Sequence, residues 1–169
     1  MPSVSPEESF SGRELELLHE VSASIQAFSD LNELLRHIMR QIKNAFGIEG
    51  ASIALHDPEK EEFYFIRTVE ELNGRDAADE GPMRFPDDYG VGGWVFRENS
   101  TVIIPDVAND ERFANTLNLQ QSFQTRSMIC IPLNTSKARI GVLYALNKSE
   151  GTFTDHEARL LDVLAGPIA

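Results

Sequence analysis

Cysteine, histidine, serine and closely paired carboxylates carry most covalent and acid–base chemistry in proteins, and this chain offers few of them in a usable pattern. Its one cysteine, Cys130, lies between Ile129 and Ile131, where it reads as a small buried thiol and has no internal disulfide partner. The four histidines, His19, His37, His56 and His156, lack zinc-ligand spacing. The run Gly90-Val91-Gly92-Gly93-Trp94-Val95-Phe96 is rich in glycine, but it lacks the Lys-Ser/Thr ending of a phosphate loop and the preceding strand of a dinucleotide site. It reads as a short, closely packed helix. Nucleophile elbow, zinc-binding helix and serine–histidine patterns are absent, and the many carboxylates are not paired by their spacing. The expectation is a protein without a catalytic set, a metal or a resident cofactor.

Composition sets further bounds. The chain has 169 residues, enough for one domain, and 41% hydrophobic content builds a core without disulfides or metal. Its 27 acidic and 15 basic residues give a net charge of −12, which repels nucleic acid and anionic membrane. No stretch approaches the roughly 20 apolar residues of a membrane span, and the start lacks a signal core. A cytoplasmic location follows as an expectation.

The elements that must position any site are readable from periodicity. Ser5-Pro6-Glu7-Glu8 combines a cap, proline at the first helical position and a capping-box glutamate, so a helix is expected there. Leu15, Leu18, Val21, Ile25 and Phe28 form its apolar stripe, to be buried against the protein's own sheet or against a second copy. Asp30 with Glu33 caps a second helix whose stripe is Leu31, Leu34, Leu35, Ile38, Ile42 and Phe46, closed by Gly47. The period then changes to two: Ala51, Ile53 and Leu55, the turn Asp57-Pro58-Glu59-Lys60, and Phe63, Phe65, Arg67 and Val69 predict a β-hairpin. Residues 70–89 are polar and broken by glycine and proline, with at most a short strand at 83–85. Thr101 to Ile104 is a short strand, and 109–121 a loop carrying a helical turn or two. Ser127 to Leu133 and Arg139 to Asn147 form a second hairpin across Asn134-Thr135-Ser136-Lys137. Thr154 with Glu157 caps a last helix with stripe Ala158, Leu161, Leu164 and Ala165. This order suggests an antiparallel sheet with helices on both sides.

Several separated motifs then occur in one family's order: Val91-Gly92-Gly93-Trp94-Val95, Ile104-Pro105-Asp106-Val107 with Asp110 and Arg112-Phe113, Arg126-Ser127-Met128 leading to Pro132-Leu133, Ile140-Gly141-Val142-Leu143 with Asn147-Lys148, and Phe153-Thr154-Asp155. Over about residues 30 to 165 the chain resembles the GAF family. The resemblance implies an α+β fold: a six-stranded antiparallel sheet with the terminal helices on one face and a pocket, roofed by short helices and loops, on the other. Residues 1–29 then form an N-terminal dimerisation or linker helix and 30–169 the GAF domain.

The segment Phe123 to Pro132 is similar to GAF domains that regulate cyclic-nucleotide phosphodiesterases and cyclases. That likeness places Thr125 and Ser52 at the ligand edge and the backbone after Val91 against a bound base. Gly92 would let the backbone approach closely, and Phe65, Trp94 and Phe113 would offer apolar and stacking surface. Thr116, Met128 and Tyr144 complete the expected ligand-binding set. The same subgroup carries an Asn-Lys, Phe, Asp-Glu signature, here Asn147, Lys148 and Phe153, with Glu157 at the aspartate position and Ala158 at the glutamate position. Lys148 and Glu157 could pair, as an exposed bridge of about 0–1 kcal/mol. Tyr144 falls where the subgroup often has an acidic ligand contact, which weighs against a cyclic nucleotide. Cys130 has neither the histidine neighbour of bilin-binding relatives nor a second thiol for methionine sulfoxide reduction. The function expected is a sensor that passes ligand occupancy through its terminal helices to an output domain of a longer chain, as a homodimer. The alternative is a ligand-free dimerisation spacer, with an enzyme last.

Overall fold

The computed structural model describes residues 10–27, 30–66, 84–111 and 125–168. Helix α1 is Gly12–Ala27 and α2 is Leu31–Phe46. Strands β1 (Ile48–Asp57), β2 (Glu62–Ile66) and β3 (Arg84–Pro86) precede α3 (Gly90–Glu98). Strand β4 (Val102–Ile104), a 3-10 turn (Val107–Asn109), β5 (Met128–Asn134), β6 (Arg139–Lys148) and α4 (Asp155–Ile168) follow. The strands form one antiparallel six-stranded sheet in the order β3-β2-β1-β6-β5-β4. This is the expected α+β architecture.

The start of α1 differs from expectation. Ser5 to Glu8 lies outside the described residues, and the described helix opens with a second box: Glu14 N–H donates to Ser11 Oγ at 3.2 Å, and Ser11 N–H to Glu14 Oε1 at 2.9 Å. The buried face differs too. Leu17, Val21 and Ser24 point inward, Leu18 is half-buried at the flank, and Leu15 is 54% exposed. Both stripes contain Val21, and packing on α4 and α2 selects the one through Leu17. Phe28 lies outside the described residues.

Helix α2 follows its sequence closely. Glu33 N–H donates to Asp30 Oδ1, the face Leu34, Leu35, Ile38, Met39, Ile42 and Phe46 is buried, and Gly47 at φ 59° turns the chain into β1. At the hairpin, Asp57 Oδ1 accepts from the N–H groups of Glu59 and Lys60, an Asx turn. Arg67 and Val69 lie outside the described residues. Strand β3 occupies 84–86, one residue later than expected, and β4 begins at Val102, one residue after Thr101, whose hydroxyl donates to Asp162 Oδ1 on α4 at 2.8 Å. Residues 112–121 of the expected loop also fall outside.

The sheet separates two apolar clusters. Helices α1, α2 and α4 cover one face, where Ile53, Ile129, Ile131, Leu133, Leu143 and Ala145 meet Leu35, Ile38, Ile42, Leu161 and Leu164. The other face holds Ala54, Phe63, Phe65, Met128, Cys130, Val142 and Tyr144 against α3 through Val91 and Val95. The central strands approach so closely that a Cβ on Gly141 would overlap the Ala54 carbonyl.

At one end of the sheet, a polar network joins the elements. Asn147 is buried at φ 58°, and its Oδ1 accepts from the N–H groups of Arg126 (2.6 Å) and Ser127 (3.2 Å) while its Nδ2 donates to Glu49 Oε2 at 2.9 Å. Lys148 Nζ donates to the Phe46 carbonyl at the end of α2, at 2.9 Å, and pairs with Glu157 Oε2. Glu157 also completes the Thr154 capping box through Oε1. The expected exposed bridge is therefore a shielded one, with side chains 19% and 15% exposed.

Replacing Leu17 by Ala should cost about 2–4 kcal/mol in urea unfolding, whereas Leu15→Ala should stay within about 0.5 kcal/mol. The reverse ranking would restore the stripe through Leu15. Lys148→Met should cost about 1.5–3 kcal/mol, more than an exposed pair contributes, because it strands Glu157 and the Phe46 carbonyl. The Glu49 carboxyl is held below its ordinary value of 4.5 by hydrogen bonds from Arg126 and then Asn147. Its contribution is thus present above that value and fades as pH falls through it, so urea midpoints followed from neutral to acid pH should drop less steeply in Glu49→Gln.

Candidate ligand site beneath helix α3

Helix α3 is fixed at both ends over the second face of the sheet. At its start, Asp87 Oδ2 lies 2.9 Å from His56 Nε2 on β1, and the Asp87 N–H donates to the Glu61 carbonyl. At its end, Asn99 adopts φ 52°, and Arg139 Nη1 donates to the carbonyls of Phe96 (3.0 Å) and Arg97 (2.8 Å), placing a cation on the negative end of the helix dipole. Asn134 Nδ2 further donates to Asn99 Oδ1 at 2.7 Å.

The glycines of α3 are explained by packing. A Cβ on Gly93 would lie 2.7 Å from the carbonyl carbon of Asp88, and one on Gly92 would overlap the Tyr144 hydroxyl. Val91 is fully buried beside them. Gly92 thus lets α3 settle onto a tyrosine that rises from the middle of the sheet.

Register gives the floor its order. Ser52 on β1 pairs with Tyr144 on β6, and Tyr144 with Cys130 on β5, so three heteroatom-bearing side chains cross adjacent strands in one buried row. Apolar groups surround them: Met128 is buried two residues along β5, and the Phe65 ring centroid is 6.0 Å from that of Tyr144. Trp94 is half-buried at the edge of the cluster. Thr125 is buried just before β5, next to the Arg126 N–H that Asn147 holds. Ser52, Phe65, Val91, Gly92, Met128 and Tyr144 therefore share one face, with Trp94 at its margin and Thr125 buried ahead of β5. Phe113 and Thr116 lie outside the described residues.

Burial sets the chemistry of this floor. It pushes the Cys130 thiol well above its ordinary pKa, leaving a protonated group unsuited to nucleophilic attack. Burial also raises the Tyr144 phenol, with the neighbouring Cys130 adding to the effect. The Tyr144 hydroxyl has no hydrogen-bond partner among the described residues. Such a group costs about 1–3 kcal/mol.

An aromatic group beside this row was not anticipated. Phe63 stacks on Phe85 at 5.1 Å, Phe65 on Phe85 at 5.2 Å, and His56 lies 4.4 Å from Phe96. The alternation of Phe63 and Phe65 carried the signal, but the partner on β3 follows a long polar interval. On the opposite side of the molecule, a groove of about 630 Å³ runs between α1, the end of α2 and α4. Two of its acidic residues are structurally engaged, Glu14 with Ser11 and His156 and Glu157 with Lys148 and Thr154. No group of three or more metal-ligating side chains occurs among the described residues, and none of their helices is long and apolar enough to cross a membrane.

Among known proteins, the dual 3',5'-cyclic-AMP and -GMP phosphodiesterase 11A of Takifugu rubripes is 33% identical over 86 residues, covering 49% of this chain and 10% of that protein. The chain thus spans about a tenth of the length of that curated relative. Among solved structures, the GAF domain of the Acinetobacter phosphoenolpyruvate-protein phosphotransferase has a TM-score of 0.75 at 20% identity, covering 94% of this chain and 92% of that one. Free methionine-R-sulfoxide reductase from Neisseria meningitidis has a TM-score of 0.70 at 24% identity, covering 95% and 90%. At these identities the likeness establishes the fold. The GAF domain family model matches residues 30–169, and with that match the chain belongs to the GAF domain family, the sensory and regulatory small-molecule-binding modules of signalling proteins.

Proposed function

We propose that this domain is the ligand-sensing module of a longer cytoplasmic signalling protein, with its ligand bound on the α3 side of the sheet. The observation that carries this reading is the course of β6. Tyr144 stands on the floor beneath α3, and three and four residues later Asn147 and Lys148 hold the entrance of β5, the end of α2 and the start of α4. A change at the floor therefore has a short covalent and hydrogen-bonded route to a terminal helix. For such a route to signal, the ligand must bind one arrangement of α3 and β5 more tightly than another. Ser52, Thr125, Tyr144 and the α3 backbone are the polar contacts of this reading, and Phe65, Met128 and Trp94 its apolar walls. Phe113 and Thr116, outside the described residues, remain candidates.

A cyclic nucleotide is the specific ligand suggested by the phosphodiesterase likeness. The buried neutral phenol of Tyr144 opposes it. The dimeric spacer is supported by a different observation: Leu15 on α1 and Val163 on α4 are 54% and 45% exposed, apolar surface suited to a second copy of the chain.

Native mass spectrometry of the protein as purified, followed by thermal-shift screening of nucleotides, amino acids and small organic acids, should reveal a stabilising ligand. A protein that carries nothing and responds to none of them would sink the sensor reading. Sedimentation over a roughly hundredfold concentration range should show self-association weakened by the double change Leu15→Glu and Val163→Glu. An unchanged monomer would remove the dimer from this proposal.

A further inference from the structure

Tyr144 is the one large side chain of the α3 face that is both 1% exposed and left with an unpaired polar atom among the described residues. Its surroundings restrict what that atom can bind. Burial keeps the phenol protonated, so it can donate a hydrogen bond, and Cys130 beside it is a neutral thiol. The flanking groups Ala54, Phe65, Val91, Met128 and Val142 carry no charge. The His56–Asp87 pair stands at the start of α3, where each group is already engaged with the other. An anion at the hydroxyl would lose its hydration without gaining a counter-charge from these neighbours. An uncharged acceptor would not.

Size is restricted by the same contact. The hydroxyl rests against Gly92 where a single added carbon would collide, and α3 is tied down by Asp87, Arg139 and Asn134. The α3 side of the hydroxyl is thus closed, and the Phe65 ring lies beside it, 6.0 Å from the Tyr144 ring between centroids. A flat ring would gain stacking surface on that neighbour.

We propose that the Tyr144 hydroxyl is the anchoring hydrogen-bond donor of this site and that its ligand class is a compact, uncharged, ring-containing molecule bearing a carbonyl or ring-nitrogen acceptor. The proposal rests on the sensor reading above and narrows it. Tyr144 acts here as the specificity-determining residue. It recognises the acceptor and, by bulk and neutrality, disfavours anionic nucleotides.

Three probes separate shape from charge: benzamide, its anionic counterpart benzoate, and cyclic GMP. Amide chemical shifts of Gly92 and Gly93, followed during titration, report occupancy beside Tyr144. Benzamide should shift them in a saturable way, benzoate should bind at least about tenfold more weakly, and Tyr144→Phe should weaken benzamide by a similar factor. Without any ligand, Tyr144→Phe should melt at the same temperature as the parent or about 2–4 °C higher, since it removes an unpaired hydroxyl at constant shape. Equal binding of benzamide to Tyr144→Phe, tighter binding of benzoate or cyclic GMP, or no response to benzamide each overturns the proposal. A lower melting temperature for the ligand-free variant also does so, by showing the hydroxyl to be a structural bond. If native mass spectrometry still finds a bound small molecule, the sensor reading survives that failure. If it finds none and no screened compound stabilises the fold, both fall together.

Discussion

The ammonium group of Lys148 sits where three parts of the chain converge, shared between the last carbonyl of α2 and the carboxylate of Glu157 on α4. Much else is arranged so that it can stand there. Asn147 takes a left-handed backbone conformation, and its amide holds both the entrance of β5 and Glu49 on β1. That conformation costs a non-glycine residue free energy, which the bonds made by the buried side chain offset. In a chain with 27 acidic and 15 basic residues, a shielded lysine with its charge answered by one carboxylate and one helix end is a specific use of a scarce group.

From that junction the sheet divides the molecule into two unlike halves. The face under α1, α2 and α4 is a mainly aliphatic core, with Phe46 and Phe153 among its members. The α3 face is aromatic on one side, through Phe63, Phe65, Phe85 and Phe96, and carries the row of Ser52, Tyr144 and Cys130 across its middle. A helix fixed at both termini presses on that row at a glycine.

Much of this was legible in the sequence, for local reasons. Helix α2 and the Thr154–Glu157 box are written in contiguous residues, and the two hairpins follow from alternation and turn chemistry. Helix α1 was ambiguous because Ser5…Glu8 and Ser11…Glu14 carry the same cap pattern and two apolar stripes intersect at Val21. Packing on α4 and α2 decides between the stripes. The incomplete signature at positions 157 and 158 reads differently in three dimensions. Glu157 serves the cap with one oxygen and Lys148 with the other, while Ala158 is buried in the helical core, where a glutamate would lose its hydration. The His56–Asp87 contact and the seat of Tyr144 under Gly92 depend on strand register and on residues far apart in sequence, so periodicity could not reveal them. The family motifs placed Ser52, Val91, Gly92 and Tyr144 near one another. They did not say that the tyrosine and the glycine touch.

The sheet order sets a temporal condition on all of this. The two central strands, β1 and β6, are the first and last in sequence, and Ile48 pairs with Lys148. During synthesis β1 and β2 can close as a hairpin early, yet their other edge stays open until nearly the whole domain has emerged from the ribosome. Closing so long a loop costs entropy before any contact repays it. The strand that carries Tyr144, Asn147 and Lys148 is therefore the one whose arrival seals the sheet, and a translation pause before β6 would leave a sticky, half-built edge exposed to neighbouring nascent chains.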